Sequence, residues 1–458
     1  MVLLIYLALV VFGWMNIYST QSDSAAIFDL TKKHGAQLIW IAIAFVSATA
    51  IMAISYKFYS VFANYVYGSV ILLLMVVLVV GVEVNNSKSW LAFGTVRFQP
   101  SELAKLASSL ALARFMSEYN FRLNSLRSWL VILGLILFPV MLILLQRDWG
   151  SALVFSAFIL MLYREGMSGW ILTGAVFLVL LFIATLMIDT IWIMIALSVF
   201  SLAVFIFRND DYVMVLPVAV LALVLFSGLA TYNVAVKSEA DYDKLLCIAT
   251  LGAFALWLLY AFFKRLKMHL PIIAFLFFSS VTVYSVEYIY GQVLKPHHRD
   301  RIEVLLGVKE DIKNTGYNVY QAKVAIGSGG FGGKGYLQGT QTKLNFVPEQ
   351  STDFIFCTVG EEWGFVGSLI LILLFAVLLI RIIMLSERQK DKFTKIYGYC
   401  TASIIFFHFA VNIAMTIGLA PVIGIPLPFI SAGGSSLWCF TMLLFIFLKL
   451  NSIKYGHE

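Results

Sequence analysis

FANYVYGSVILLLMVVLVVGV, residues Phe62–Val82, contains no Asp, Glu, Lys or Arg and is long enough to cross a bilayer as a helix. A single run of this kind would fit a buried core helix. Here the pattern recurs along the whole chain: 61% of the 458 residues are hydrophobic and only 12% are charged. A globular domain carries about twice that charged share, and no soluble fold of this size could hide so much apolar surface. The chain therefore reads as an all-α polytopic membrane protein.

The apolar runs predict about fourteen spans. The first six are Val2–Ile17, Gln37–Ser55, Phe62–Val82, Glu102–Phe115, Trp129–Leu145 and Ser151–Tyr163, the last being the least span-like. Five follow at Trp170–Met187, Ile191–Phe207, Val213–Leu229, Leu246–Phe263 and Pro271–Tyr290. Phe354–Ile380, Ile396–Ile417 and Leu437–Leu448 complete the set. No polar stretch is long enough to fold separately, so residues 1–458 are expected to form one membrane domain. The first span has no basic segment before it and no small-residue cleavage site after it, which predicts a retained helix.

Lys and Arg gather in a few short connections. Arg114, Arg122 and Arg127 share one, Lys264, Arg265 and Lys267 a second, and Arg388, Lys390, Lys392 and Lys395 a third; Lys449 and Lys454 lie in the tail. An even span count puts all of them on one side with both termini, and the positive-inside rule makes that side cytoplasmic. The net charge of +7 reports these loops and gives no reason to expect a nucleic-acid partner. The four cysteines sit in or beside apolar runs without close spacing, which excludes a disulfide scaffold or a zinc knuckle. The loop 292–352 is then extracytoplasmic and too long for a mere connector. Glu83–Ser101 and Ala420–Ser435 face the same side.

Several polar features stand out against this background. Glu102 and Lys105, in QPSELAK, lie three apart on one helix, as a locking ion pair or as substrate contacts. Glu361 and Glu362, in GEEWG, read as acids at a helix start. GSGGFGGKG, Gly327–Gly335, lacks the Ser or Thr that follows Lys in a phosphate loop. It is either a compact turn where backbone meets backbone or a loop whose amides approach an anion. Trp90 suits an interfacial anchor, Asp148 a cap or polar pair, and His297 and His298 have no acid at metal spacing. In GVKEDIKNTGYN, Gly307–Asn318, composition does not rank Glu310 against Asp311.

Three long stretches carry a family resemblance. KSWLAFGTVRFQPSELAKLA (Lys88–Ala107), TGYNVYQAKVAIGSGGFGGKGYLQGTQTKLNFVPEQSTDFIFCTVGEEWGFVG (Thr315–Gly367) and VNIAMTIGLAPVIGIPLPFISAGGSS (Val411–Ser436) resemble, in order, the signatures of the RodA/FtsW (SEDS) family. HHRDRI and LQGTQ favour its RodA branch, which serves cell elongation. The resemblance implies a peptidoglycan glycosyltransferase of the bacterial cytoplasmic membrane that polymerises lipid II and releases undecaprenyl diphosphate. Matching on Arg301 and Gly316–Tyr317–Asn318 places the family's catalytic aspartate, a general base, at Asp311. The family's functional tryptophan falls on Trp90 and its Glu–Lys pair on Glu102 and Lys105.

Further expectations follow from the same resemblance. Arg299, Arg301, Lys309, Lys313 and Lys334 would supply positive charge or support around the substrate, and a divalent cation (Mg or Mn) is another source of that charge. A class B penicillin-binding protein is the implied partner. The family has about ten spans, so about four extra are placed as an insertion at 188–270. The chain departs from the family near Asp311, where both flanking prolines are missing, at Arg147 in QRDWG and at Ala432 in SAGG. A lipid II flippase is the alternative reading, with Glu102 and Lys105 lining a polar path.

Overall fold

Apolar helices dominate the computed structural model, which describes residues 1–21, 29, 32–84, 87–93, 96–119, 121–123, 125–208, 252, 270–290 and 316–452. Contacts divide the chain into two compact units, Met1–Ser168 with Glu310–Glu458, and Gly169–Lys309. In the second, helices Gly169–Met187, Thr190–Arg208 and Leu270–Tyr288 are described. Leu181, Met194, Leu197, Leu276 and Val283 form their core, and Thr190 donates to Glu287 at 3.0 Å.

The first unit holds α1 (Val2–Ser19), α2 (Lys33–Ala53), α3 (Tyr56–Val80), α4 (Pro100–Met116) and α5 (Leu126–Leu145) before the second unit, with Ile355–Glu387, Lys392–Thr416 and Gly434–Ser452 after it. Among the described residues of both units, eight helices are long and apolar enough to cross a membrane. The polytopic helical reading therefore holds.

Burial separates two kinds of helix. Lys392–Thr416 and Gly434–Ser452 bury 61% and 67% of their most apolar window, against 22% for α2 and 28% for α3, which turn more of their side chains outward. α4 is the most enclosed: its seventeen residues are buried from Pro100 through Ala113 with one partial exception, Leu103. Ser101, Ser108, Ser109 and four alanines keep α4 narrow enough for neighbours on several sides. A helix that is lined with small residues and surrounded by others packs closely in a membrane.

Three segments differ from their sequence expectations. The predicted span Ser151–Tyr163 is two short helices, Trp149–Val154 and Phe158–Arg164, joined by a 3-10 turn at Phe155–Ala157. Gly150, at its start, lies against the Ile423 carbonyl with no room for a Cβ. The connection Glu83–Ser101 contains an antiparallel ribbon of β1 (Val82–Val84), β2 (Ser87–Phe93) and β3 (Val96–Phe98), with Trp90 opposite Val82 and Leu91 opposite Phe98. Along β2 exposure alternates, with Ser89 and Leu91 buried and Lys88 and Ala92 exposed, as the pleat of a strand requires. Finally, Glu361 and Glu362 do not open a helix. That helix begins at Ile355 and breaks at Gly364, whose φ of 64° and ψ of −157° are open only to glycine.

A loop fills this break. Lys334 N and Gly335 N donate to the Glu361 and Glu362 carbonyls, both at 3.0 Å, while Phe365 N and Val366 N donate to Gly330 and Phe331 at 3.0 and 3.2 Å. The glycines of the 327–335 run permit this: a Cβ at Gly329 or Gly333 would collide with the backbone of Gly360 or Glu362. The compact-turn reading of the run is the one the structure shows.

One end of the first unit gathers the ribbon, the 317–354 segment and the 418–433 loop, through Lys88 N to Gln146 O (3.0 Å) and Ala432 N to Ser351 O (2.8 Å). At the other end Arg164 pairs with Glu387, Lys395 with Glu165, and Lys449 donates to Met52 O. The basic groups Arg114, Arg122, Arg127, Arg388, Lys390, Lys392, Lys395 and Lys449 all belong to this second end, as do Met1 and Ser452. Lys264, Arg265, Lys267 and Lys454 lie outside the described residues.

Candidate functional site

α4 starts at Pro100, which fixes the first turn and places Glu102 one turn from Lys105. Both are buried, at 4% and 2% exposure, and the Lys105 ammonium donates to Glu102 Oε1 at 2.8 Å. A second ligand of the ammonium comes from a helix far away in sequence: Lys105 Nζ lies 2.9 Å from His408 Nε2. His408 Nδ1 is 3.1 Å from the Pro426 carbonyl, which accepts only from an N–H. The imidazole is thereby assigned as the Nδ1–H tautomer with Nε2 as acceptor. The Phe440 ring is the third neighbour, 5.3 Å from Nζ. Glu102 Oε2, in contrast, has no hydrogen-bond partner among the described residues. It borders a cavity of about 10 Å³ lined also by Leu106, Ile404, Cys439 and Phe440, about the room one water needs.

Beside this pair, Asp148 is both a cap and a polar partner. Oδ1 accepts from Ser151 N at 3.1 Å, and Oδ2 from Gln99 Nε2 at 2.7 Å. It ties QRDWG to QPSE, with Arg147 at φ 60° making the turn.

Lys334 is engaged rather than free. Its ammonium donates at 2.7 Å to both Glu361 Oε1 and Thr340 Oγ1. Glu361 also accepts from Gln341 N and Thr342 N, at 2.8 and 2.9 Å, and Ser19 Oγ donates to Glu362. The two carboxylates thus pin the 334–342 segment and the end of α1 to one helix.

Asp353 was not singled out from the sequence. Burial, and next the charge of Glu349, push its carboxyl up from 3.8 to about 6, while Lys33 opposes the rise. Lys33 pairs with Glu349 at 3.6 Å and donates to Ser351 Oγ at 3.1 Å. Asn412 Nδ2 donates to the carbonyls of Asp353 and Ile425 at 2.8 and 2.7 Å, which joins this segment to the 418–433 loop. An acid directly before the apolar run FIF was the available signal, since a carboxyl beside buried aromatics loses hydration.

The structure brings Glu102 and Lys105 into contact. It puts Trp90, half-buried on β2, and Lys334 at the same end of the unit, in separate settings. His408 and Asp353 are additions. Asp311, Arg299, Arg301, Lys309, Lys313, Glu310, His297 and His298 lie outside the described residues. Among the described residues no group of three or more His, Cys, Asp or Glu could hold a metal ion.

Comparison with known proteins agrees along the whole chain. A model of the FtsW, RodA and SpoVE family, described as cell cycle proteins, matches residues 1–215 and 193–455. The peptidoglycan glycosyltransferase RodA of Treponema pallidum is 30% identical over 453 residues, covering 99% of this chain and 97% of its own. The peptidoglycan glycosyltransferase MrdB of Escherichia coli K12 is 29% identical, covering 95% and 88%. Among solved structures, one chain of a peptidoglycan synthase complex that coordinates polymerization and crosslinking superposes with a TM-score of 0.63 at 23% identity, covering 100% of this chain and 98% of that one. Thermus thermophilus RodA gives 0.53 at 20% identity, covering 100% and 97%. Matching motifs, a shared helical fold and similarity from end to end place this chain in the FtsW/RodA/SpoVE family.

Proposed function

We propose that this protein is a peptidoglycan glycosyltransferase of the bacterial cytoplasmic membrane, joining lipid II disaccharides into glycan strands during elongation. The observation that carries the reading is the end-to-end similarity to a peptidoglycan glycosyltransferase RodA. The 317–354 segment, the ribbon and the Glu102–Lys105 pair, gathered at one end of an apolar bundle, are consistent with a site for a membrane-anchored polar substrate. That end is the extracytoplasmic one in this reading, and the basic end with both termini is cytoplasmic.

In the reaction, the 4-hydroxyl of an acceptor GlcNAc attacks the anomeric carbon of a donor MurNAc. The new C–O bond forms as the bond to the lipid diphosphate breaks, and the diphosphate leaves with the electron pair. A hydroxyl is a weak nucleophile at neutral pH, so a base must take its proton; Asp311 is assigned that role. A diphosphate needs no general acid but does need positive charge, which Arg299, Arg301, Lys309 and Lys313 provide. A divalent cation would add Lewis-acid stabilisation of the leaving group. Glu102 and Lys105 support the site from within the membrane. The extra helices are assigned to 188–270 in this reading. A class B penicillin-binding protein crosslinks the product in this reading.

Polymerisation of radiolabelled lipid II by purified protein in detergent is the test. Flipping requires two separated leaflets, so glycan product in detergent distinguishes a polymerase from a flippase. Asp311→Asn should lower the rate by roughly 10²–10⁴-fold while the protein still purifies as a folded monodisperse species. A variant as active as the wild type would refute the assignment of Asp311.

A further inference from the structure

Lys105 is buried, at 2% exposure, and the three N–H bonds of its ammonium need acceptors. Glu102 supplies one and the Phe440 face covers another direction. The remaining acceptor is a bare imidazole nitrogen, 2.9 Å away. That nitrogen is bare only because the opposite side of the ring is committed to the Pro426 carbonyl. The chain of contacts thus runs from Glu102 and Lys105 on α4, through His408 on Lys392–Thr416, to the 418–433 loop. A hydrophobic residue at 408 would leave both an ammonium N–H and a backbone carbonyl without partners in a buried place, a large penalty.

We propose that His408 is a positioning residue: as a neutral Nδ1–H imidazole it accepts from Lys105, donates to Pro426, and so holds the Glu102–Lys105 pair in register with the 418–433 loop. The chemistry specifies its replacement. Glutamine also offers one acceptor and one donor on opposite sides of a planar group, so it reproduces both contacts. Leucine reproduces neither, and phenylalanine keeps only the edge-to-face packing on Phe440, where the ring centroids lie 4.7 Å apart at 87°.

The activity part of the test rests on the polymerase reading; the other parts do not. In full-length protein, His408→Leu and His408→Phe should speed hydrogen exchange in the 418–433 backbone by about tenfold or more, and slow lipid II polymerisation by a similar factor. His408→Gln should stay within about threefold of the wild type in both. Glutamine and leucine variants that behave alike, or a phenylalanine variant matching the wild type, would overturn the proposal. Nitrogen-15 NMR of histidine-labelled wild-type protein provides a measurement that needs no variant to fold. The His408 resonance, distinct from that of His34, which is also buried, should report a protonated Nδ1 and an unprotonated Nε2; a protonated Nε2 would overturn the assignment. If the wild type makes no glycan, the polymerase reading fails, while exchange and NMR still decide the role of His408.

Discussion

Replacing Lys105 by methionine keeps the length and apolar stem of the side chain and removes its charge. At the observed 2.8 Å separation, and with an effective dielectric constant of about 20, the attraction between Lys105 and Glu102 is about 6 kcal/mol. Most of that offsets the loss of hydration of two buried ions, so the pair itself adds little net stability. Losing one member is different. Glu102 Oε2 already has no partner among the described residues, and Lys105 is the donor to Oε1. Lys105→Met should therefore destabilise the fold by about 3–5 kcal/mol. Glu102→Gln should cost less, because the ammonium keeps His408 and Phe440 and gains a neutral acceptor. The double variant Glu102→Gln/Lys105→Met should recover much of the loss. A thermal or denaturant unfolding cycle in detergent measures the coupling, expected to exceed about 2 kcal/mol. Independent single-variant effects that simply add would show that the buried contact is energetically idle and refute the reasoning.

Gly364→Ala forces a side chain into a glycine-only backbone region and toward the Gly332–Gly333 backbone. A loss of about 1–3 kcal/mol, or more, is expected, with faster proteolysis between residues 327 and 343; an unchanged melting temperature would count against the break. Asp353→Asn should change the pH dependence of stability. With its folded value raised to about 6 from 3.8, Asp353 holds its proton better in the native state, so its favourable contribution is complete below about pH 4 and lost as the pH rises through about 6. The wild type should thus lose stability relative to the asparagine variant across that window, and parallel pH profiles would contradict the burial of this carboxyl.

Much of this architecture could be read from local sequence. The eight described spans follow from runs of apolar residues, and the Glu102–Lys105 contact from a spacing of three on one helix, while the predicted spans Val213–Leu229 and Leu246–Phe263 lie outside the described residues. What stayed hidden involves residues far apart in the chain. His408 meets Lys105 across 303 positions, and nothing in FFHFAV distinguishes it from an ordinary buried histidine. The acids of GEEWG look like a helix start when read alone. Only the packing of GSGGFGGKG against Gly364 shows that they end one helical segment and that Glu361 neutralises Lys334. The ribbon is not legible locally because β1 and β3 have only three residues each and the seven of β2, SKSWLAF, do not alternate in polarity. Asp353 is not legible because acids in long loops are usually hydrated, and the backbone that lies against its carboxylate comes from Gly424, 71 positions on.

The loop lodged in the helix break also governs how displacement passes through the molecule. Ile355–Trp363 is fastened sideways to residues 334 and 335, and the segment beginning at Phe365 to residues 330 and 331. The two rods of this helix are therefore spliced by a strip of glycine-rich backbone instead of by a continuous spiral of amides. Any pull on that strip tilts one rod against the other, and a ligand or partner gripping it would act on a joint already built into the longest span.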